Sequence, residues 1–163
     1  MYSKDPMRMS KGERIVALDT NVLVNALNED SLNYAKARKL VSQVLEGRVG
    51  GVIAYQNLTE FYAVVTNPKI LAKPLIAGEA IGEMENLLGG NIKLIFPNRN
   101  TGKIWLSILK KKDAVGQEVH DKFLAATLLS NGVKKIVTGD KKDFEGIRGL
   151  ETIGLDDYLH LLN

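Results

Sequence analysis

The chain has 163 residues, 45% apolar and 25% charged, the composition of one globular domain with an ordinary core rather than of a disordered chain. It contains no cysteine, which excludes disulfides, thiolate zinc sites and cysteine nucleophiles; this fits a reducing compartment, and a cytoplasmic protein is expected. The net charge of +3, from 22 basic and 19 acidic residues, allows an anionic partner such as nucleic acid but describes a slightly lysine-rich surface equally well.

No apolar run approaches the roughly 18 residues that span a bilayer, so no membrane partner is expected. Residues 1–13 are polar and basic, without the apolar segment of a secretory leader, and are expected to be a flexible tail before a single domain over 14–160. Residues 15–18 (Ile-Val-Ala-Leu) carry no polar side chain, the signature of a strand buried on both faces. Asp19 ends that run, at the edge where open α/β sheets bind ligands. Residues 20–27 read as a short helix. A longer one begins near Ser31, with Leu32, Ala35, Leu40, Val41, Val44 and Leu45 as its stripe and Gly47 as its stop.

Residues 51–54 form a second strand. The next helix starts at Gln56 or Asn57, carries Leu58, Phe61, Tyr62 and Val65 at helical spacing, and ends at Asn67-Pro68. Glu60 lies in its first turn or two. Residues 75–88 are a helix stopped by Gly89-Gly90, 92–96 a short strand, and 101–110 a helix bearing the only tryptophan, Trp105. The basic turn at Lys110, Lys111 and Lys112 is explained by lysines complementing a helix end. Residues 117–129 form a helix with Asp121 near its start, stopped by Asn131-Gly132. Residues 135–138 are another buried strand, with Gly139-Asp140 at its carboxyl end and Asp143 and Phe144 just behind. A strand at 151–153 and a helix at 155–162 close the chain. Alternating helices and strands argue for an α/β layered domain.

Asp19 and Asp140 thus end two strands, and Glu60 and Asp121 begin helices leaving the same sheet edge. On parallel, adjacent strands all four would share one crevice. A pair of carboxylates about 4 Å apart costs roughly 4 kcal/mol at an effective dielectric near 20, so such a cluster must bind protons or a cation. Oxygen ligands favour magnesium, manganese or calcium. Each acid also has a plain structural reading: Asp19 and Asp140 as caps, Glu60 and Asp121 as acids suited to a helix N-terminus. Asp143 has Lys141 and Lys142 as neighbours to pair with. His120 and His160 lack a second ligand at helical spacing and read as surface or core residues.

Three segments and one glutamate stand out together. Leu18-Asp19-Thr20-Asn21-Val22-Leu23 is a buried strand ending in Asp-x-Asn. Residues 119–127, Val-His-Asp-Lys-Phe-Leu-Ala-Ala-Thr, place Asp121 ahead of a small, apolar helix. Residues 136–144, Ile-Val-Thr-Gly-Asp-Lys-Lys-Asp-Phe, end a strand in Thr138 and Asp140 and follow it with Asp143-Phe144. With Glu60 after the second strand, this order resembles the PIN domain, the fold of many metal-dependent ribonucleases, including VapC-type toxins of toxin–antitoxin pairs. The likeness runs over about residues 14–159. It implies a three-layer α/β/α sandwich around a twisted parallel sheet, and a homodimer. It further implies that Asp19, Glu60, Asp121 and Asp140 hold Mg2+ or Mn2+ and carry catalysis. Asn21, Thr138 and Asp143 would be supporting residues that orient ligands or substrate. RNA would be the substrate, and an antitoxin protein the partner if the chain is a toxin. His120 and Lys122 flank Asp121 where the family varies and receive no role.

The leading expectation is therefore a divalent-metal-dependent endoribonuclease, with exposed lysines, among them Lys110 to Lys112, Lys122, Lys134, Lys135, Lys141 and Lys142, steering the RNA backbone. At 6% aromatic residues, broad base stacking is the weaker prospect. The alternatives are a stand-alone RNA-processing nuclease, a non-catalytic RNA- or protein-binding module of the same fold, an α/β domain whose acids are only caps, and a phosphatase of the haloacid dehalogenase type. The last expects a second aspartate where this chain has Asn21.

Overall fold

Strands without polar side chains need cover on both faces, and the helices supply it. A computed structural model describes residues 15–162; the tail expected over 1–13 lies outside the described residues. Strands β1 (Ile15–Leu18), β2 (Gly50–Ala54), β3 (Lys93–Ile95), β4 (Lys135–Thr138) and β5 (Glu151–Gly154) form one sheet in the order β3-β2-β1-β4-β5. Every pairing is parallel. Side chains alternate across it, as the strand period requires. Val16, Leu18, Ile53 and Val137 enter one core; Ala17, Val52, Ala54 and Ile136 enter the other.

Helices α1 (Thr20–Asn25), α2 (Tyr34–Leu45), α3 (Tyr55–Val65), α4 (Ala77–Gly89) and α7 (Leu155–Leu161) contribute to the first core, through residues such as Leu23, Leu40, Val44 and Phe61. Helices α5 (Thr101–Leu109) and α6 (Glu118–Ser130) contribute to the second, with Ile108, Leu124, Ala125 and Leu128. The result is the three-layer α/β/α arrangement. None of the described helices is long and apolar enough to cross a membrane.

The strand order positions the site. From β1 the chain builds outward through β2 and β3, then crosses back to place β4 and β5 on the other side of β1. Neighbouring connections therefore diverge between β1 and β4, which opens a crevice at the carboxyl ends of those two strands. Along that edge Phe96, Tyr55, Asp19, Gly139 and Leu155 follow β3, β2, β1, β4 and β5 in turn.

Two expectations are corrected. Helix α2 starts at Tyr34 rather than near Ser31, and Leu32, expected on its apolar stripe, is 99% exposed. The stripe that packs is Ala37, Leu40, Val41 and Val44. Helix α3 starts at Tyr55, directly from β2, because Asn57 Oδ1 reaches back to accept the Ala54 N–H at 2.8 Å. That bond satisfies a donor which a free helix start leaves open.

Gly51 is buried where α2 crosses β2, and a Cβ there would lie 2.3 Å from Val44 Cγ1. Both groups sit in the core, so the clash has no exit to solvent. Gly51→Ala is expected to destabilise the fold by about 1–3 kcal/mol, the usual range for overpacking. A urea denaturation midpoint reads this; an unchanged midpoint would mean that α2 shifts freely.

Candidate active site at the carboxyl edge of the sheet

Asp19 leaves β1 with 7% of its surface exposed. Its Oδ1 accepts the Thr20 N–H at 2.8 Å, so it does cap α1. Its Oδ2 accepts the Thr138 hydroxyl at 2.7 Å. Thr138 ends β4 and is fully buried. Besides donating to Asp19, its Oγ1 accepts from Asn21 Nδ2 at 3.1 Å and from the Asp140 N–H at 3.0 Å. A hydroxyl has one proton and two lone pairs, and here all three are used. Asn21 completes the tie by accepting the Gly139 N–H at 2.9 Å. The β1 and β4 ends are thereby locked together across the crevice. Asn21 thus serves as a structural tie, and being an amide it cannot supply the second acid that a dehalogenase-type phosphatase requires.

Thr20 makes a second junction. Its hydroxyl donates to Glu60 Oε2 at 2.8 Å and accepts from Asn57 Nδ2 at 3.0 Å. Gln56 Nε2 holds the other Glu60 oxygen at 2.7 Å and bonds the His120 carbonyl at 3.0 Å, which joins α3 to the start of α6. Asp121 is the fourth residue of α6 and half-buried. Lys122 is 8% exposed, and its Nζ donates to the Asp143 carbonyl. This ammonium therefore pins the Lys141–Asp143 turn to α6 and is too buried to meet RNA. Asp140 is exposed and accepts the Lys142 N–H at 3.1 Å, a cap on that turn. Lys141 does not pair with Asp143 as the sequence suggested; its Nζ lies 3.3 Å from Asp157 Oδ2. His120 and His160 are both on the surface.

Sequence reasoning assigned no part in the site to Thr20, Gln56 or Asn57, although Thr20 adjoins Asp19 and Gln56 and Asn57 lie one helical turn before Glu60. Lys122, expected among the exposed lysines that steer RNA, is instead buried and bonded to the Asp143 carbonyl. Of the lysines expected to steer RNA, Lys134 and Lys135 precede or open β4 and so lie at the opposite sheet edge, with Lys135 beside Glu151 at 3.7 Å. Lys141 and Lys142 remain exposed at the carboxyl edge.

The acids form a linked series. Asp19 is pushed up to about 6, chiefly by burial; the Thr138 and Thr20 hydrogen bonds oppose this, and the charges of Asp121 and Glu60 reinforce it. Asp121 is also pushed up to about 6, by burial and then by Asp143, with Lys122 opposing. Asp143 is raised by burial and by Asp140. The structure thus brings Asp19, Glu60 and Asp121 into mutual electrostatic reach and connects Asp121 through Asp143 to Asp140. As the side chains stand, no three His, Asp or Glu among the described residues converge closely enough to hold an ion. Protein donors occupy the Asp19 and Glu60 oxygens instead. The chemistry of the donor set nonetheless suits a hard cation: every donor is a carboxyl oxygen, and two of them resist ionisation in its absence.

The raised values make a prediction with a definite sign. Between about pH 4 and 6 the folded chain keeps protons on Asp19 and Asp121 that the unfolded chain has released, so their contribution to metal-free stability falls as pH rises through that window. Asp121→Asn removes one of these groups. Its thermal midpoint, less that of wild type, is expected to grow from pH 4 to pH 7 and to favour the variant above pH 7. A difference independent of pH would show that Asp121 is not held against its neighbours' charge.

The PIN domain family model matches residues 16–150. Solved structures share the fold. VapC20 of Mycobacterium tuberculosis, a toxin that cleaves the sarcin-ricin loop, is 12% identical over 83% of this chain and 98% of its own, with a TM-score of 0.62. DNA-bound VapBC of Salmonella typhimurium is 18% identical over 88% and 99%, with a TM-score of 0.62. VapBC2 of Rickettsia felis, bound to a promoter DNA fragment, is 19% identical over 86% and 98%, with a TM-score of 0.61. No curated protein matches significantly. The family model spans most of the chain, from the second residue of β1 past the Lys141–Asp143 turn, and on that match the chain belongs to the PIN domain family.

Proposed function

We propose that this protein is a divalent-metal-dependent endoribonuclease and that Asp19, Glu60, Asp121 and Asp140 are its metal ligands and catalytic acids. The observation that supports the reading is that Asp19, Glu60 and Asp121, from three separate elements, lie within electrostatic reach of one another, with Asp19 and Asp121 pushed up to about 6, chiefly by burial. Membership of the PIN family supports it. A magnesium or manganese ion bound by these carboxylates supplies positive charge for the scissile phosphate and a more acidic water.

The chain's own residues do the rest. Thr138, itself held by Asn21, fixes the Asp19 carboxylate, Thr20 and Gln56 fix Glu60, and Asp143 stands beside Asp121 and Asp140. A carboxylate of the cluster takes the proton of the attacking water as general base. Lys141 and Lys142 meet the RNA backbone at the exposed edge.

The VapC and VapBC likeness supports the further reading that the protein is the toxin of a toxin–antitoxin pair, acting as a homodimer in the cytoplasm and held in check by a protein inhibitor. A small reading frame beside its gene is the expected mark of that inhibitor.

Total RNA from the source cell contains every natural substrate. Wild type is expected to cut it at discrete positions with manganese or magnesium and not with chelator. Asp121→Asn is expected to lose about 100-fold or more in rate, the usual loss when general-base catalysis fails. Equal cutting by the variant, or cutting in chelator, would overturn the proposal.

A further inference from the structure

Two aromatic rings stand at the same edge as the acids. Ala54 pairs with Ile95 at the last register of β2 and β3, so Tyr55 and Phe96 are the next residues beyond each strand. Their rings stack, with centroids 5.6 Å apart and planes 23° from parallel. Tyr55 is 51% exposed and Phe96 54%. The rings overlap in an offset stack and about half of each residue is left to solvent, outside both cores.

Anchoring on both sides holds the pair in place. Tyr55 opens α3 directly from β2, one residue before the Gln56 that holds Glu60. The Phe96 carbonyl accepts from Asn131 Nδ2 at 2.9 Å, which fixes the segment after β3 against the end of α6. Strands lie roughly 5 Å apart, so the pair flanks β1 and its Asp19 at about 5 to 10 Å along the edge. That is a short span of single-stranded backbone. The polar segment behind Phe96 carries exposed Arg99 and Lys103, suited to phosphates.

We infer that the Tyr55–Phe96 stack is a base-stacking platform that seats an unpaired nucleobase of the RNA next to the cleavage site. The inference rests on the nuclease reading and deepens it: the substrate is single-stranded at that position, and a flipped-out base extends the ring stack. Every base has a π-face, so the platform selects for an unpaired nucleotide rather than for one sequence. The low aromatic content noted above is no obstacle, since two placed rings suffice for one base.

The test uses the full chain and a short single-stranded RNA spanning a mapped cut site, with 2-aminopurine placed at successive positions. Binding is measured in the Asp121→Asn background, where cutting does not interfere. The platform predicts fluorescence quenching at one position beside the cut. It also predicts that Tyr55→Ala with Phe96→Ala abolishes the quenching and weakens binding by roughly 5- to 100-fold, the range for one lost stacked base. In the catalytically intact background the same pair raises KM and leaves kcat within about threefold. Tyr55→Phe with Phe96→Tyr keeps quenching and affinity. If the double alanine variant folds poorly, Tyr55→Ala alone is read in the same way.

Unchanged affinity and quenching in a wild type that cuts RNA would overturn the platform and leave the nuclease reading intact. A fall in oligomeric state with RNA affinity unchanged would assign the rings to a second copy and also overturn it. A wild type that neither binds nor cuts RNA would overturn both readings.

Discussion

A single buried hydroxyl holds the candidate site together. Thr138 Oγ1 donates to Asp19 and accepts from Asn21 and from the Asp140 N–H, which exhausts its hydrogen-bonding capacity. Two strands distant in sequence are thereby joined at their carboxyl ends, where the sheet order opens a crevice. The arrangement works because Thr138 has no exposed surface: with no water to compete, each partner's position is set by the protein. Valine would fill nearly the same space and leave Asp19, Asn21 and the Asp140 N–H without their common partner.

The same burial creates the tension on which the chemistry draws. Folding buries Asp19 and half-buries Asp121, and neither has a full counter-charge. Lys122 relieves part of this, since its ammonium lies between Asp121 and the turn that carries Asp143. Two packed cores resist the repulsion, so the acids cannot simply move apart. A site strained in this way gains stability when a proton or a cation arrives, and those are the two species that a metal-dependent hydrolase handles.

Much of this was legible in the sequence, for reasons that differ by element. The run before Asp19 has no polar residue, and only a doubly covered strand tolerates that; it appears as β1, and the apolar Ile136-Val137 ahead of Asp140 likewise lies buried in β4. The helix stops at Gly47 and Gly132 were readable because both glycines adopt positive φ, at 74° and 75°. The start of α2 was misplaced because Leu32 fits a helical stripe that the chain does not use. Hydrogen-bond partners were harder to read. Pattern places a residue on an element but does not say which side chain reaches across to another. Thr20, Gln56 and Lys122 act through such contacts. The Tyr55–Phe96 stack was illegible for the same reason, since it depends on the β2–β3 register and its two members are far apart in sequence.

Calorimetric titration of manganese into the metal-free protein at a series of pH values, in buffers of different ionisation heat, reads metal binding and proton release together. If the acids at the β1–β4 crevice form the metal site, affinity rises with pH up to the range just above 6, and near pH 6 each ion displaces about one proton. Asp121→Asn then binds more weakly and releases fewer protons. Binding with no proton release and no dependence on pH or on Asp121, or no binding at all, would contradict the account.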